Sequence, residues 1–507
     1  MLEYSTIALS LSLVLTLYGF AAARRYLIRQ KTIHERGCQP PRSLPQKDPL
    51  FGLDVAFRMF KSYAGGQRSA QFKEQHEAFG STFQSMALGK TRIFTIDPNN
   101  LRAIFATDFK NWGVQPLRLP SWEPFLGKGV MDTDGAFWRH SRDMVQPLFK
   151  REQISDLVSF DVHVIRFLDL IPKDESTVDL QPLFARLILD FTTEFLFGES
   201  VECLTPAPNQ AAMAFLEAFH YGQAGIGKRT QLPYWMVFTH DKKFWQAAKI
   251  TRDFVDGYVN RAIHRRDSQG TDKRRRYILA DELVKQTKDK QDIRNQLLNT
   301  FLAAHDTTAV LLTNVFFNLA RNPKVYAKLR QEILQVNLKE ASCEELKSLQ
   351  YLCNVVLETS RLTPVVGQSA RIALHDTVLP TGGGQSGISP IYVRKGTSVQ
   401  LNYFALHRRP DIYGQDAGTF RPERWEALHV GSWDFLPFIG GPRVCPAQQM
   451  ALMQVRYTVA RIVQNFRSVQ NRDPVLEFVE QYRITSDSKN GCKVAMTPAQ
   501  QDPLSRV

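Results

Sequence analysis

Residues 438–445 read Phe-Ile-Gly-Gly-Pro-Arg-Val-Cys and run at once into the helical stretch Pro446-Ala-Gln-Gln-Met-Ala-Leu-Met-Gln-Val. A cysteine just ahead of a helix sits at its positive end, which favours the thiolate. Gly440 and Gly441 let the backbone turn sharply, and their N–H groups are expected to aim at the Cys445 sulfur. Pro442 stiffens the turn, and Phe438 would shield the sulfur from water. Arg443 is placed to fork onto an anionic group. A buried structural cysteine in a glycine-rich turn is the alternative, and a lone Gly-x-x-x-Cys would not displace it. Here Phe-x-x-Gly-x-Arg-x-Cys fixes four positions, a coincidence expected in fewer than about one chain of this length in a hundred. The stretch reads as a thiolate loop that ligates a haem iron through Cys445.

Two further segments carry chemistry. Asn295–Asn318 is a long apolar run with Ala303-Ala-His-Asp-Thr-Thr308 at its middle, and Asn322-Pro323 after it marks a helix restart. An acid beside two hydroxyls in such a helix needs a reason, either a backbone bond from a Thr side chain or a proton path. Beside a haem thiolate the proton path is favoured, because splitting dioxygen consumes two protons. Ser342-Cys-Glu-Glu345 predicts a capping box ahead of a helix over Leu346–Thr363, with Pro364 as its stop. Glu358 and Arg361, three apart, share a face of that helix.

Taken together these segments resemble the signatures of the cytochrome P450 superfamily, and the match extends over nearly the whole chain after the anchor. The resemblance implies the roles that follow. Phe438, Gly441, Arg443 and Cys445 form the haem loop, with Ala447 where Gly is usual. Asp306 is the acid and Thr307 the alcohol of the oxygen-activation motif, with Ala304 in place of Gly. His305 is expected on the flank of that helix and not on the iron. Ala303 stands where animal enzymes that esterify their haem carry Glu, so the haem is expected to be non-covalently held. Glu358, Arg361 and Arg424 of Phe420-Arg-Pro-Glu-Arg-Trp425 form a structural lock behind the haem loop. Trp138 and Arg142 of Trp-x-x-x-Arg, and Arg371 in the strand after the Glu358 helix, are expected at the propionates. Phe301, Ala303, Ala304, Thr308, Val365 and Val366 are the expected substrate pocket.

The chain is most similar to fungal alkane and fatty-acid hydroxylases in the connector Gly37-Cys-Gln-Pro-Pro41, in Gly129-Val-Met-Asp-Thr-Asp-Gly-Ala-Phe-Trp138, in Leu379-Pro-Thr-Gly-Gly-Gly384 and in His407-Arg-Arg-Pro410. Ser486-Asp-Ser-Lys-Asn490 departs from that group. It lies near the C-terminal loop expected to line the pocket and is polar where such hydroxylases are apolar. His305 stands where they commonly have Arg.

With 507 residues, 43% hydrophobic and 22% charged, the chain has material for a large core and lacks the bias of a disordered protein. No long flexible linker or repeat divides it, so one globular unit behind a tether is expected. The tether is Ser5–Ala23, uncharged and close to the roughly 20 residues a membrane-spanning helix needs. Arg24, Arg25, Arg29 and Lys31 follow it, which places the body on the cytosolic side. A cleaved signal peptide ending at Ala21-Ala-Ala is the rival, but such signals carry their basic residues before the apolar run. The domains are then an anchor over 1–30, a proline-rich connector over 31–48 and a catalytic unit over 49–507, on the endoplasmic reticulum membrane in a single pass. Six cysteines without paired spacing fit a reducing compartment with one functional thiolate.

The net charge of +14 is spread along the sequence, with one dense cluster at Arg265-Arg266 and Lys273–Arg276 that reads as a solvated loop. Anionic lipid headgroups and an acidic electron-donor protein account for the excess better than nucleic acid does. Helical spacing over Ile154–Ile171, Leu180–Phe197 and Asn295–Asn318, against strand patterns at Thr91–Ile96 and Ile391–Val399 with a turn at Lys395-Gly396, predicts a mainly α protein with small β-sheets, the haem-thiolate fold.

The expected activity is a monooxygenase inserting oxygen into an unactivated C–H bond of a fatty acid or alkane chain. Its electrons come from NADPH through cytochrome P450 reductase, with cytochrome b5 as a second donor. Tailoring of a polyketide or terpenoid intermediate in fungal secondary metabolism is the alternative substrate class. A haem-thiolate isomerase or dehydratase needs no acid–alcohol pair, so Asp306-Thr307 counts against it. A non-catalytic haem sensor is disfavoured by the open groove that the Ala-rich helix implies.

Overall fold

The structure is a computed structural model that describes residues 2–150, 157–231, 241–268, 277–338 and 342–499. Along the chain the main helices are α1 (Leu2–Glu35), α2 (Leu53–Ala64), α3 (Arg68–Phe79), α4 (Pro98–Arg102), α5 (Gln115–Leu126), α6 (Gly135–Val145), α7 (Leu157–Asp169), α8 (Leu180–Phe197), α9 (Gln210–Gln231) and α10 (Lys242–Ser268). They continue as α11 (Leu279–Gln286), α12 (Lys290–Arg321), α13 (Pro323–Ile333), α14 (Cys343–Ser348), α15 (Gln350–Leu362) and α16 (Gln448–Asn465). The mainly α fold with small sheets is as expected. Of the predicted run Ile154–Ile171, residues 154–156 lie outside the described residues, as does the basic cluster Lys273–Arg276.

The core is built on α12, the long apolar helix, whose sides carry Leu297, Leu298, Leu312, Val315 and Phe316, all fully buried. It packs along α8 through Phe184 on Phe316, with ring centroids 5.6 Å apart. Asp289 caps its start by accepting from the N–H groups of Gln291 and Asp292. Pro323 then opens α13 at its first turn, where a missing N–H costs nothing.

The capping box forms as read, with Glu345 N–H on Ser342 Oγ at 3.2 Å and Ser342 N–H on the Glu345 carboxylate at 2.7 Å. It does not open one helix over Leu346–Thr363. Leu349 leaves the helical region at ψ 89, and a second helix, α15, begins at Gln350. Its first N–H groups are satisfied by Glu332 of α13, which accepts from Tyr351 at 2.8 Å and Leu352 at 2.9 Å. A carboxylate from a distant segment thus makes the break affordable.

One six-stranded sheet stands beside the helices. It contains β1 (Arg42–Ser43), β2 (Thr82–Ala87), β3 (Lys90–Thr95), β4 (Trp112–Gly113), β6 (Gln368–Ala373) and β9 (Ser398–Asn402), in the order β1-β2-β3-β9-β6-β4. The β2–β3 hairpin closes through Leu88 at φ 52 and Gly89 at φ 69, the positive pair a tight hairpin turn requires. The remaining strands are β5 (Val178–Asp179), β7 (Thr377–Gly383), β8 (Ser389–Val393), β10 (Phe466–Asn471), β11 (Glu480–Tyr482), β12 (Ser486–Ser488) and β13 (Lys493–Pro498). Ile391–Val399 is divided at Lys395-Gly396 as expected, but its two halves serve different sheets. β8 pairs with β7, whereas β9 lies between β3 and β6.

The connector is strapped to the β7–β8 hairpin. Gln39 N–H donates to Pro390 O at 2.9 Å and Gly384 N–H to Pro40 O at 3.0 Å. A Cβ at Gly383 would run into the Gln39 carbonyl, which gives the Gly-Gly-Gly stretch its physical reason. The expected anchor Ser5–Ala23 falls within α1; residues 5–11 lie outside the residues whose side chains are described. Among the described residues no helix is long and apolar enough to cross a membrane. Leu13, Val14, Leu15, Leu17 and Phe20 of α1 are exposed.

Candidate active site

The loop around Cys445 is held from both ends. Cys445 N–H donates to Phe438 O at 3.1 Å, closing the turn, and Arg142 of α6 reaches across to the carbonyl of Val444 at 2.8 Å. Ile439, a β-branched residue, sits at φ 52, a costly conformation that only a strongly determined loop retains. Gly441, at φ 69, packs so tightly that a Cβ would collide with the carbonyl of Phe105. The glycine serves this close approach. The N–H that meets the thiol is not that of Gly440 or Gly441, as expected, but that of Ala447 at the start of α16. Burial pushes the Cys445 thiol above its ordinary value, while the Ala447 N–H and the Arg142 guanidinium pull it back down. Phe438 is half-buried and packs on the main core, as does Ala447.

Four arginines converge next to this loop. Arg443 donates to Thr133 O at 2.7 Å, pairs with Asp134 at 2.6 Å and lies over the Trp138 ring at 4.5 Å. It is brought down to about 9, first by burial, then by the neighbouring charges of Arg371, Arg118 and Arg142, with Asp134 opposing. Arg371 on β6 is buried, with the carbonyl of Ala370 at 2.9 Å and the Phe105 ring at 4.8 Å as its contacts, and burial with Arg118 lowers it to about 10. Arg118 on α5 was not foreseen; it donates to Met131 O at 2.6 Å and covers the Trp122 ring at 5.0 Å. Among the described residues, Arg443 alone of the four has a carboxylate partner in ion-pair range. So much half-buried positive charge with one carboxylate to balance it calls for an anionic ligand. The propionates of a haem supply that charge, and the donor set therefore fits the cofactor that Cys445 implies.

Behind the loop, the Glu358–Arg361–Arg424 set is fully formed. Glu358 and Arg361 make two bonds, at 2.8 and 2.9 Å, and both side chains are fully buried. Arg424 Nε reaches the same carboxylate at 2.8 Å, and its other nitrogens take the carbonyls of Tyr413, Asp416 and Thr419. Trp425 Nε1 and the Arg421 N–H complete the shell at 3.0 and 2.9 Å. Every lone pair of the buried acid is used, which is the condition for tolerating it.

On α12 the motif residues divide between two faces. Ala303, Ala304 and Thr307 are half-buried, and Thr307 Oγ1 donates back to Ala303 O at 2.8 Å. Asp306 turns inward and is 3% exposed, its Oδ2 accepting from the Thr485 hydroxyl. His305 is fully buried as well, not on an open flank, and its Nε2 sits 3.0 Å from the Ala185 carbonyl of α8. Two expected pocket residues are buried. Phe301 is fully buried among Phe197, Phe215, Phe219 and His305, with its ring 5.1 Å from that of His305. Thr308 is 3% exposed. Val365 and Val366 are half-buried.

The polar segment at Ser486 is spent internally. Ser486 Oγ donates to Glu480 at 2.6 Å, and Glu480 also holds Ser69 at 2.8 Å. Asp487 accepts from Arg483 and from Gln181 at 3.1 Å. Burial pushes Asp487 up to about 6, with Arg483 opposing and Asp306 adding to the rise. Ser486, Asp487 and Ser488 are therefore buried structural polarity and not an exposed pocket wall.

A family profile described as Cytochrome P450 matches residues 44–491. The chain is 37% identical over 511 residues to the cytochrome P450 monooxygenase himC of Aspergillus japonicus, covering 98% of this chain and 91% of that one. It is 42% identical over 459 residues to cytochrome P450 52A5 of Candida maltosa, covering 85% and 86%. To the cytochrome P450 monooxygenase fsdH of Fusarium heterosporum it is 35% identical over 505 residues, covering 96% and 87%.

Proposed function

Because the chain belongs to the cytochrome P450 family and is a monooxygenase of it, we propose that it hydroxylates an unactivated C–H bond of a lipophilic chain, a fatty acid or an alkane. The observation that carries the substrate class is the spending of polarity around Thr307. The hairpin residues Ser486 and Asp487 are taken up by Glu480, Arg483 and Gln181, while the half-buried Ala303, Ala304, Val365 and Val366 are all apolar. An apolar lining selects by area and not by hydrogen bonding.

The haem, when bound through Cys445, supplies the dioxygen activation that no side chain can perform. Arg142, Arg371 and Arg443, with Trp138 and the unforeseen Arg118, hold its propionates. Asp306, oriented by Thr485, takes up a proton on its carboxylate and hands it toward the Thr307 hydroxyl. Thr307 now donates to Ala303 O, so its oxygen lone pairs are the sites open to an incoming proton. Glu358, Arg361 and Arg424 keep the meander rigid behind the cysteine loop.

Electrons reach the site from NADPH through cytochrome P450 reductase, with cytochrome b5 as a second donor, for which the net charge of +14 is a suitable docking field. The exposed apolar side chains of α1, and Leu50, Phe51, Leu53 and Phe57 around α2, support an anchor over 1–30 that holds the 49–507 unit on the endoplasmic reticulum membrane, facing the cytosol. Arg29, 3.7 Å from Asp376, ties the end of α1 to the body. Removal of residues 1–30 should release the protein from the membrane pellet.

A second reading, tailoring of a polyketide or terpenoid intermediate, is favoured by Arg483, whose Nε is buried between β11 and β12 without a partner among the described residues. Membranes containing the protein, a reductase and NADPH, incubated with alkanes and long-chain fatty acids and analysed by mass spectrometry, decide between the two. Terminal hydroxy or dicarboxylic products support the first. A blank panel from protein with an intact haem-thiolate spectrum supports the second.

A further inference from the structure

Where α9 packs on α12, one ring nitrogen each of His220 and His305 and one carboxylate oxygen of Asp306 lie within 4.8 Å of one another. The His305 ring is fixed in place, stacked on Phe301 at 5.1 Å and meeting the edge of Phe219 at 6.4 Å. Its Nε2 faces the Ala185 carbonyl at 3.0 Å. A carbonyl only accepts, so Nε2 carries the proton and Nδ1 presents a bare lone pair. That Nδ1 is buried and has no hydrogen-bond partner among the described residues. An imidazole whose outer N–H rests on a backbone carbonyl while the other nitrogen stands free is oriented as a metal ligand is. Asp306 is supported in the same manner by the Thr485 hydroxyl. Burial, Arg483 and His305 push His220 toward the neutral imidazole, a form with one nitrogen able to ligate a metal. Three groups able to act as metal ligands thus converge. The guanidinium of Arg483 is paired with Asp487, which leaves the charge of Asp306 over.

We propose that His220, His305 and Asp306 bind a divalent transition-metal ion of the zinc class through two imidazole nitrogens and one carboxylate oxygen. Such donors suit zinc, nickel or copper and not magnesium or calcium. Zinc takes them at about 2.0–2.2 Å, so the atoms close to roughly 3.3 Å apart on binding. Half-buried His220 supplies that movement by rotating its side chain, and it also gives the ion a way in. On the reading given above, in which Asp306 carries protons, an occupied site withdraws that carboxylate from proton traffic and acts as a reversible brake on turnover.

The test counts metal and needs no substrate. Full-length haem-loaded protein is dialysed against chelator-buffered Zn²⁺, and zinc is measured per haem by atomic absorption. One tightly bound equivalent is expected, weakened by roughly tenfold or more in both His220→Ala and His305→Ala. His220→Ala, on a half-buried position, retains the haem-thiolate spectrum and guards against a folding defect. Absence of a stoichiometric zinc, or unchanged affinity in His220→Ala, overturns the proposal, and so does a loss confined to His305→Ala. A failed product assay leaves the zinc count untouched, and a failed zinc count leaves the monooxygenase reading untouched.

Discussion

The hydroxyl of Thr485 donates to Oδ2 of Asp306, 179 positions earlier in the chain, so the acid of the long helix is steered by a loop near the C-terminus. Replacing Thr485 by Val removes the donor with little change in volume. The carboxylate then loses its fixed orientation, and product formed per NADPH should fall while peroxide rises. Parallel measurement of NADPH, product and peroxide checks this; an unchanged ratio means the contact is packing alone.

Thr307→Ala removes the alcohol itself, and its effect on the same ratio should exceed that of Thr485→Val. Substrate affinity, read from the spectral shift on binding, should change little, because Thr307 is asked to move a proton and not to hold substrate. Unaltered product per NADPH in this variant would falsify the proton route.

Glu358→Ala leaves Arg361 and Arg424 buried without their carboxylate, a situation that costs about 3–5 kcal/mol. The haem-loaded variant should unfold at markedly lower denaturant. Trp425→Phe gives up one bond of the same shell and should cost about 1 kcal/mol. Equal midpoints for the two variants would contradict the network as described.

His407 is buried, and its Nε2 accepts from the Leu436 N–H at 3.0 Å. Burial first, then Arg361 and Arg408, take it from 6.5 to about 3. The unfolded chain therefore binds a proton that the folded one refuses between those values, so the contribution of His407 is complete above pH 6.5 and is lost as pH falls. The slope is about 1.4 kcal/mol per pH unit. His76, taken to about 4 mainly by burial, adds a slope of the same sign. Asp487, raised to about 6, opposes both below that pH. His407→Gln, which keeps an acceptor for Leu436, should flatten stability against pH by about one proton relative to the parent, as measured by denaturant midpoints from pH 7 to 4.

What was legible from the residues alone is what local spacing encodes. Glu358 and Arg361 meet because three residues of helix bring them to one face, and the Cys445 loop is closed by its own eight residues. Arg118 and Thr485 were missed for the opposite reason. Thr485 acts on Asp306, 179 positions away, and Arg118 meets Arg371 and Arg443 only through the fold, so nothing around either marks it out. The break at Leu349 depends on Glu332 in another helix, and the parting of β8 from β9 depends on which sheet edge each finds. Phe301 and Thr308 are expected in the pocket by their nearness to the motif, and their burial depends on the aromatic packing of other helices, which local spacing does not encode. The donor to Cys445 was placed on the glycines because they are permissive, whereas steric fit against Phe105 is what Gly441 provides.

The four arginines come from α5, α6, β6 and the cysteine loop, so the chain must draw like charges together in order to complete its fold. An anion shared among them is then a partner in the folding equilibrium itself and not a late addition to a finished scaffold. On the proposed propionate role of these arginines, the supply of the prosthetic group in the cell should set how much of this protein survives quality control, as well as how much of it turns over.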